Sequence, residues 1–174
     1  MNIAIEPTDH VRGPEHARTT VIEYGDFECP TCRIAVEPVH LVMQRFPQQV
    51  RFVFRHFPLE QAHPHALLAA EAAESAGAQG RFWEMHDLLF AHQAHLALPD
   101  LRRYAEQLGL DPARFVDDLH EHLYLQRVRE HLESGRRLHL RATPTFFVDG
   151  QLQDVSYSMQ GLHDAVVASV VRHT

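Results

Sequence analysis

The chain has 174 residues, of which 45% are hydrophobic and 22% are charged, and its net charge is −7 with histidine counted as neutral. This composition is that of a globular protein of one domain, long enough to bury a core. The acidic balance argues against nucleic acid as a partner. All 16 basic residues are arginine, which excludes mechanisms that use a lysine nucleophile or a lysine Schiff base.

The first half of the chain predicts an arm, a strand, a helix and a second strand. Residues 1–17 are polar and interrupted by prolines and a glycine, which favours an arm or leading loop. The β-branched run Thr19–Glu23 predicts a strand, and the apolar spacing of Pro30–Phe46 predicts a helix kinked at Pro38. Val50–Phe57 alternates apolar and basic residues, which predicts a strand with one solvated face.

The second half predicts a block of helices and then a β-hairpin with a final helix. The helices are expected over 62–76, 82–95 and 100–108, with a further helix that opens at Asp111-Pro112, and Gly135 closes this region. Thr143–Val148 predicts a strand, and Asp149-Gly150 is a strong signal for a hairpin turn into a second short strand. The last helix is expected over 161–172.

The two cysteines of the chain, Cys29 and Cys32, lie two residues apart between the first strand and the first helix. A disulfide that closes so short a loop adds little to stability, which argues against a structural staple. The N-terminus of a helix lowers the pKa of a thiol, and Pro30 suits its first turn. The pattern therefore favours dithiol redox chemistry. Two buried free cysteines, or half of a zinc site, are the alternatives, although a second CxxC is absent.

Several pairs of histidines lie close together in the sequence, and such pairs can be metal ligands. They occur at His63 and His65, at His92 and His95, and at His120 and His122. No carboxylate-bearing signature such as HExxH accompanies these pairs, so we expect most of them to face solvent and predict no metal site.

Four segments make the chain resemble the bacterial DsbA-like thioredoxin-fold family. They read EYGDFECPTC, FRHFPL, FWEMHD and TPTFFVDG, at Glu23–Cys32, Phe54–Leu59, Phe82–Asp87 and Thr143–Gly150. The resemblance implies an α/β thioredoxin-like fold over 18–174, with a central mixed sheet and a helical insertion at about 62–138. Some members of this branch are attached to sodium/proton antiporters.

The resemblance also implies roles for the residues of the CxxC segment. Cys29 would be the nucleophile and Cys32 the resolving thiol, with Pro30 and Thr31 tuning their potential. Strongly oxidising members carry histidine where this chain has Thr31, so a milder potential is expected. The same family carries a buried acid at the position of Glu23, which would relay protons for Cys32; a solvated strand residue is the alternative.

Three further expectations concern the surroundings of the cysteines. Pro144 resembles the cis-proline of the family, and Thr143 would pair its backbone with a substrate peptide; an edge-strand or turn proline is the alternative. The negative charges of Asp26 and Glu28 should oppose formation of a thiolate.

The sequence thus predicts a thiol–disulfide oxidoreductase that works without a bound cofactor, in a direction that is left open. Its substrates would be protein or small-molecule thiols and disulfides, with an unidentified redox partner. A non-catalytic redox sensor or accessory domain is one alternative. A glutathione-dependent isomerase or transferase is another, although Cys32 counts against it.

The start of the chain bears on its compartment. Residues 1–10 have neither the basic nor the apolar region of a secretory signal, and no stretch of the chain is long enough to cross a membrane. A cytoplasmic location is therefore expected, or a periplasmic one if a preceding segment has been removed. Thiols are kept reduced in the cytosol, which favours a catalytic CxxC there.

Overall fold

The computed structural model describes residues 3–173, and in that range a mixed five-stranded sheet is accompanied by seven helices. The strands are β1 (His10–Arg12), β2 (Thr19–Gly25), β3 (Val50–His56), β4 (Thr145–Val148) and β5 (Gln151–Gln153). The helices are α1 (Pro30–Arg45), α2 (Ala66–Ala78), α3 (Phe82–Ala91), α4 (Leu98–Gln107), α5 (Pro112–His120), α6 (Leu125–Arg137) and α7 (Gln160–Arg172). None of these helices is both long and apolar enough to span a bilayer.

The described part of the chain divides into two compact units. The sheet unit comprises 3–25, 34–55 and 143–173, and the helical unit comprises 26–33 and 56–142. The predicted insertion at about 62–138 falls within the helical unit, which also contains both cysteines.

The sheet unit is built on β2, whose side chains are almost all buried. The strands follow the order β1-β3-β2-β4-β5, and β4 pairs antiparallel with β2, so that Val21 lies opposite Val148. Helix α7 packs on β2 and β4 through its apolar face, where Leu162 and Val166 are buried. The predicted hairpin is present, with Asp149 and Gly150 at positive φ between β4 and β5.

Two expectations for this unit were wrong. The segment predicted as an arm contains β1, which pairs antiparallel with β3. The predicted solvated face of β3 is absent, because Arg55 is only 2% exposed. Its guanidinium donates to both carboxylate oxygens of Asp9, at 3.0 and 2.7 Å, and to the hydroxyl of Tyr24 at 3.0 Å. A buried arginine with a bidentate carboxylate partner explains why a basic residue can occupy an inward position.

Most of the predicted helices of the helical unit form, with shifted ends. Helix α2 begins at Ala66 rather than at 62, since Pro64 disfavours helical backbone in the residue before it. Asp111 caps α5 as predicted, because its side chain accepts from the backbone N–H groups of Ala113 and Arg114. The predicted closing role of Gly135 was wrong, since this glycine lies inside α6.

Candidate functional site

The two cysteines lie at the N-terminus of α1, as the sequence predicts. Cys29 directly precedes the helix, and its carbonyl accepts the backbone N–H of Arg33 at 3.2 Å, so Cys29 occupies the N-cap position. Cys32 is one turn further on. The two cysteines are not joined in a disulfide, and the residues are 5% and 0% exposed, respectively. The unpaired N–H groups of the first turn favour a negative charge at this end of the helix.

Each thiol has a polar neighbour from the same segment. The sulfur of Cys29 lies 3.0 Å from the hydroxyl oxygen of Thr31, which can donate to a thiolate. The backbone N–H of Asp26 points at the sulfur of Cys32 over 3.5 Å. A hydrogen-bonding group that is close in sequence therefore faces each sulfur of this candidate site.

Asp26 organises the backbone that leads into this site. Its side chain is fully buried. One carboxylate oxygen accepts the N–H of Glu28 at 2.8 Å, and the other accepts the N–H of Leu59 at 2.9 Å and Nδ1–H of His63 at 2.7 Å. The main-chain carbonyl of Asp26 accepts the N–H of Cys29 at 3.1 Å. One acidic residue thus fixes the turn before the helix and the loop after β3.

Glu28 has an equivalent but more exposed partner. Its carboxylate oxygens accept the backbone N–H of His65 at 2.6 Å and face Nδ1 of the same residue at 3.0 Å. The sequence predicts that Asp26 and Glu28 oppose a thiolate. The structure places a histidine against each of them, His63 against Asp26 and His65 against Glu28.

The electrostatics of His63 reflect these neighbours. Burial by itself lowers the pKa of this imidazole. The hydrogen bond with Asp26 and the negative charges of Asp26, Cys29 and Glu28 outweigh that effect and raise the pKa above its ordinary value of 6.5.

Gln93, which follows α3, binds the backbone on either side of Glu28, directly before α1. Its side-chain N–H₂ donates to the carbonyls of Phe27 and Cys29, at 2.9 and 2.8 Å. Neither Gln93 nor the pairing of Asp26 with His63 was predicted, since each contact joins residues that are far apart in the sequence. The only hint of the Asp26–His63 contact in the sequence was the segment His63-Pro64-His65. Its spacing suggests a possible pair of metal ligands, not a partner for Asp26.

The remaining predicted site residues belong to the sheet unit. Glu23 is 3% exposed, so the expectation of a buried acid is met and the solvated alternative is wrong. A Cβ on nearby Gly25 would clash with the ring of Phe54. The Thr143-Pro144 peptide bond is cis, as predicted. The proton relay by Glu23 and substrate binding by Thr143 and Pro144 stay predictions.

The histidine pairs of the sequence do not converge as ligand sets among residues 3–173. His63 and His65 bind different carboxylates, and His122 binds Glu71 at 3.0 Å. Burial raises the pKa of Glu71, and the contact with His122 opposes that rise.

A different set in the described chain has metal-ligand composition. His56, Glu74 and His131 are buried with ligand atoms within 4.8 Å of one another. Nε2 of His56 lies 2.8 Å from the Glu74 carboxylate, and the N–H of His56 donates to Nδ1 of His131 at 3.1 Å. These direct hydrogen bonds already satisfy much of the cluster and fit a buried polar network within the helical unit.

Comparison with known proteins gives the family. A family described as "Thioredoxin" matches residues 6–167. The Na(+)/H(+) antiporter NhaA 1 of Salinispora arenicola is 46% identical over 170 residues, which is 97% of this chain and 26% of that protein. The antiporter NhaA of Herminiimonas arsenicoxydans is 40% identical over 161 residues, covering 92% of this chain and 25% of that protein. The chain therefore spans about a quarter of the length of these relatives.

Solved structures agree with the fold. A thioredoxin-like oxidoreductase from Silicibacter pomeroyi matches with a TM-score of 0.83 and 27% identity, over 97% of this chain and 95% of that one. Oxidised BdbD from Bacillus subtilis matches with a TM-score of 0.85 and 21% identity, over 92% of both chains, and at that identity the match shows the fold alone. The predicted thioredoxin-like architecture is confirmed. The chain belongs to the thioredoxin family.

Proposed function

We propose that this chain is a thiol–disulfide oxidoreductase that exchanges disulfides through the pair Cys29 and Cys32. One observation carries the proposal: Cys29 occupies the N-cap of α1 with Cys32 one turn later, so both thiols lie at the positive end of one helix. The oxidoreductase relative from Silicibacter pomeroyi, which shares the fold, supports it.

The reaction requires only the two thiols and a substrate. In the reducing direction, the Cys29 thiolate attacks a substrate disulfide, forms a mixed disulfide and releases one substrate thiolate. The Cys32 thiol loses its proton and attacks the sulfur of Cys29, which releases the second substrate thiolate and leaves a Cys29–Cys32 disulfide. In the oxidising direction the same steps run backwards.

The surroundings of the cysteines suit this exchange. The hydroxyl of Thr31, 3.0 Å from the Cys29 sulfur, can stabilise the thiolate that attacks or leaves. Gln93 and Asp26 hold the backbone at the cysteines in place through their contacts with Cys29. We expect protein or small-molecule thiols and disulfides as substrates, with no bound cofactor.

The direct test replaces each cysteine in turn. Cys29→Ser should abolish both the reduction of insulin disulfides and the oxidation of a dithiol peptide, because the attacking sulfur is gone. Cys32→Ser is the matched control: it should also stop turnover but accumulate a mixed disulfide on Cys29, visible as a mass increase in non-reducing conditions. Retained turnover in Cys29→Ser would contradict the mechanism.

A second function is favoured by the curated relatives, which are named as antiporters and of which this chain covers about a quarter. In that case the chain would be a redox-responsive accessory domain of a transporter. This alternative predicts that the chain binds the transporter part with an affinity that differs between its dithiol and disulfide forms. It also predicts negligible turnover of insulin or a dithiol peptide. Turnover without any redox-dependent binding would favour the enzyme.

A further inference from the structure

The loop that follows β3 carries a histidine to the start of the cysteine segment. His63 is 33 residues beyond Pro30 in sequence, yet its Nδ1–H donates to the Asp26 carboxylate at 2.7 Å. The imidazole is 18% exposed and the carboxylate is fully buried, so the contact is shielded from water on the aspartate side. This shielding strengthens the charge interaction relative to an exposed pair.

Asp26 connects this histidine to both cysteines. Its carbonyl accepts from the N–H of Cys29 at 3.1 Å, and its N–H faces the sulfur of Cys32 at 3.5 Å. The same carboxylate also accepts the N–H of Leu59, which holds the loop carrying His63. The position of His63 is therefore set by the residue that also shapes the N-terminus of α1.

Because Asp26 binds both His63 and the backbone of Cys29, the charge of His63 lies beside the segment that carries the Cys29 sulfur. The negative charge of the Cys29 thiolate is one of the causes that raise the pKa of His63, after the opposing effect of burial and the larger effect of Asp26. Such an interaction is reciprocal, so an imidazolium at this position favours the thiolate by the same free energy.

We propose that His63, held by Asp26, is a positioning residue that stabilises the Cys29 thiolate. The proposal rests on the proposed function, and it assigns His63 an electrostatic part in that same site. The other titratable groups nearby are Glu28 with its partner His65, Cys32, and Glu60 in the same loop. The charge of Glu28 favours the imidazolium and disfavours the thiolate.

The consequence for redox chemistry follows from the balance of the reaction. The oxidised pair and two glutathione thiols give the Cys29 thiolate, the Cys32 thiol, glutathione disulfide and one released proton. Stabilising the thiolate favours the products, so His63 should make the pair a better oxidant than the CxxC segment alone would be.

The test compares two histidine variants of the full chain in the reduced state. The thiolate absorbance of Cys29 and its rate of alkylation by iodoacetamide are measured against pH. His63→Gln should raise the titration midpoint by roughly one pH unit, a tenfold weaker acid. His65→Gln is the matched control, and it should move the midpoint much less because its imidazole is 48% exposed. An unchanged midpoint in a folded His63→Gln protein would overturn the proposal.

A reciprocal measurement leaves His63 intact. The imidazole of His63 is titrated by nuclear magnetic resonance in the reduced wild-type chain and in Cys29→Ser. Its pKa should be lower in Cys29→Ser, because the thiolate charge has been removed; equal values would contradict the proposal. Neither titration needs a substrate. If the titrations show no coupling between His63 and the Cys29 thiolate while turnover is normal, only the role of His63 is contradicted. If the coupling is clear but the chain has no turnover, only the proposed enzymatic function is contradicted.

Discussion

Two acid–base pairs with a buried carboxylate, one in each unit, differ in the cation that they use. In the sheet unit, Arg55 and Asp9 are 3% and 0% exposed in their side chains and bind through two hydrogen bonds. In the helical unit, Asp26 is equally buried but its partner is His63. A guanidinium remains charged at every pH that a folded protein meets, whereas an imidazole changes its charge near neutrality. The first pair is thus a fixed support, and the second can respond to the charge on the thiols.

The pKa shifts of the two basic residues, Arg55 and His63, agree with this difference. Burial lowers the pKa of Arg55, but its hydrogen bonds to Asp9 and Tyr24 more than compensate, so the pKa lies above its already high ordinary value. No physiological change removes that charge. His63 instead has its pKa raised from the neutral range by groups that include a cysteine of the candidate site.

The largest effect on stability is expected from breaking the arginine pair. Arg55→Met leaves the buried Asp9 carboxylate without its cation and should lower the free energy of unfolding by about 3–5 kcal/mol. Arg102→Met, which removes the exposed pair with Glu106, is the control and should cost no more than about 0.5 kcal/mol. Urea unfolding measures both. A cost for Arg55→Met as small as that of the control would show that the pair is not the support described here.

The histidine pair predicts a smaller effect that depends on pH. Because the pKa of His63 is raised on folding, its contribution to stability is present in full below about pH 6.5 and is lost as the pH rises through the folded pKa. The difference in unfolding free energy between the reduced wild-type chain and His63→Gln should therefore shrink from about pH 5.5 to about pH 9. Comparing two chains cancels the titration of unrelated groups such as Glu71. A difference that grows with pH would mean that folding lowers the pKa of His63 instead of raising it.

Local patterns account for the parts of the fold that were predicted. The strand, CxxC and helix around Cys29, the cap at Asp111 and the turn at Asp149 each depend on a few neighbouring residues, whose propensities act over short distances. The burial of Arg55 was missed because alternation along β3 indicates which residues share a face but not what covers that face. Its partner Asp9 lies 46 residues earlier.

The site shows the same limit. The resemblance and the motif single out Cys29 and Cys32 as candidates, and the negative charge of Asp26 predicts that this residue disfavours a thiolate. Its partner His63 is 37 residues away, and only the folded loop after β3 brings the two together. A charge taken from sequence alone therefore omits the effect of any distant residue of opposite charge that packs against it.

The reduction potential of the pair Cys29 and Cys32 tests the central claim most directly. The chain is equilibrated in graded glutathione buffers, and free thiols are alkylated and counted by mass. We predict one two-electron transition between the values typical of thioredoxin and DsbA, about −270 and −120 mV, at a lower potential in His63→Gln than in the wild-type chain. The absence of any two-electron transition would contradict the redox function itself.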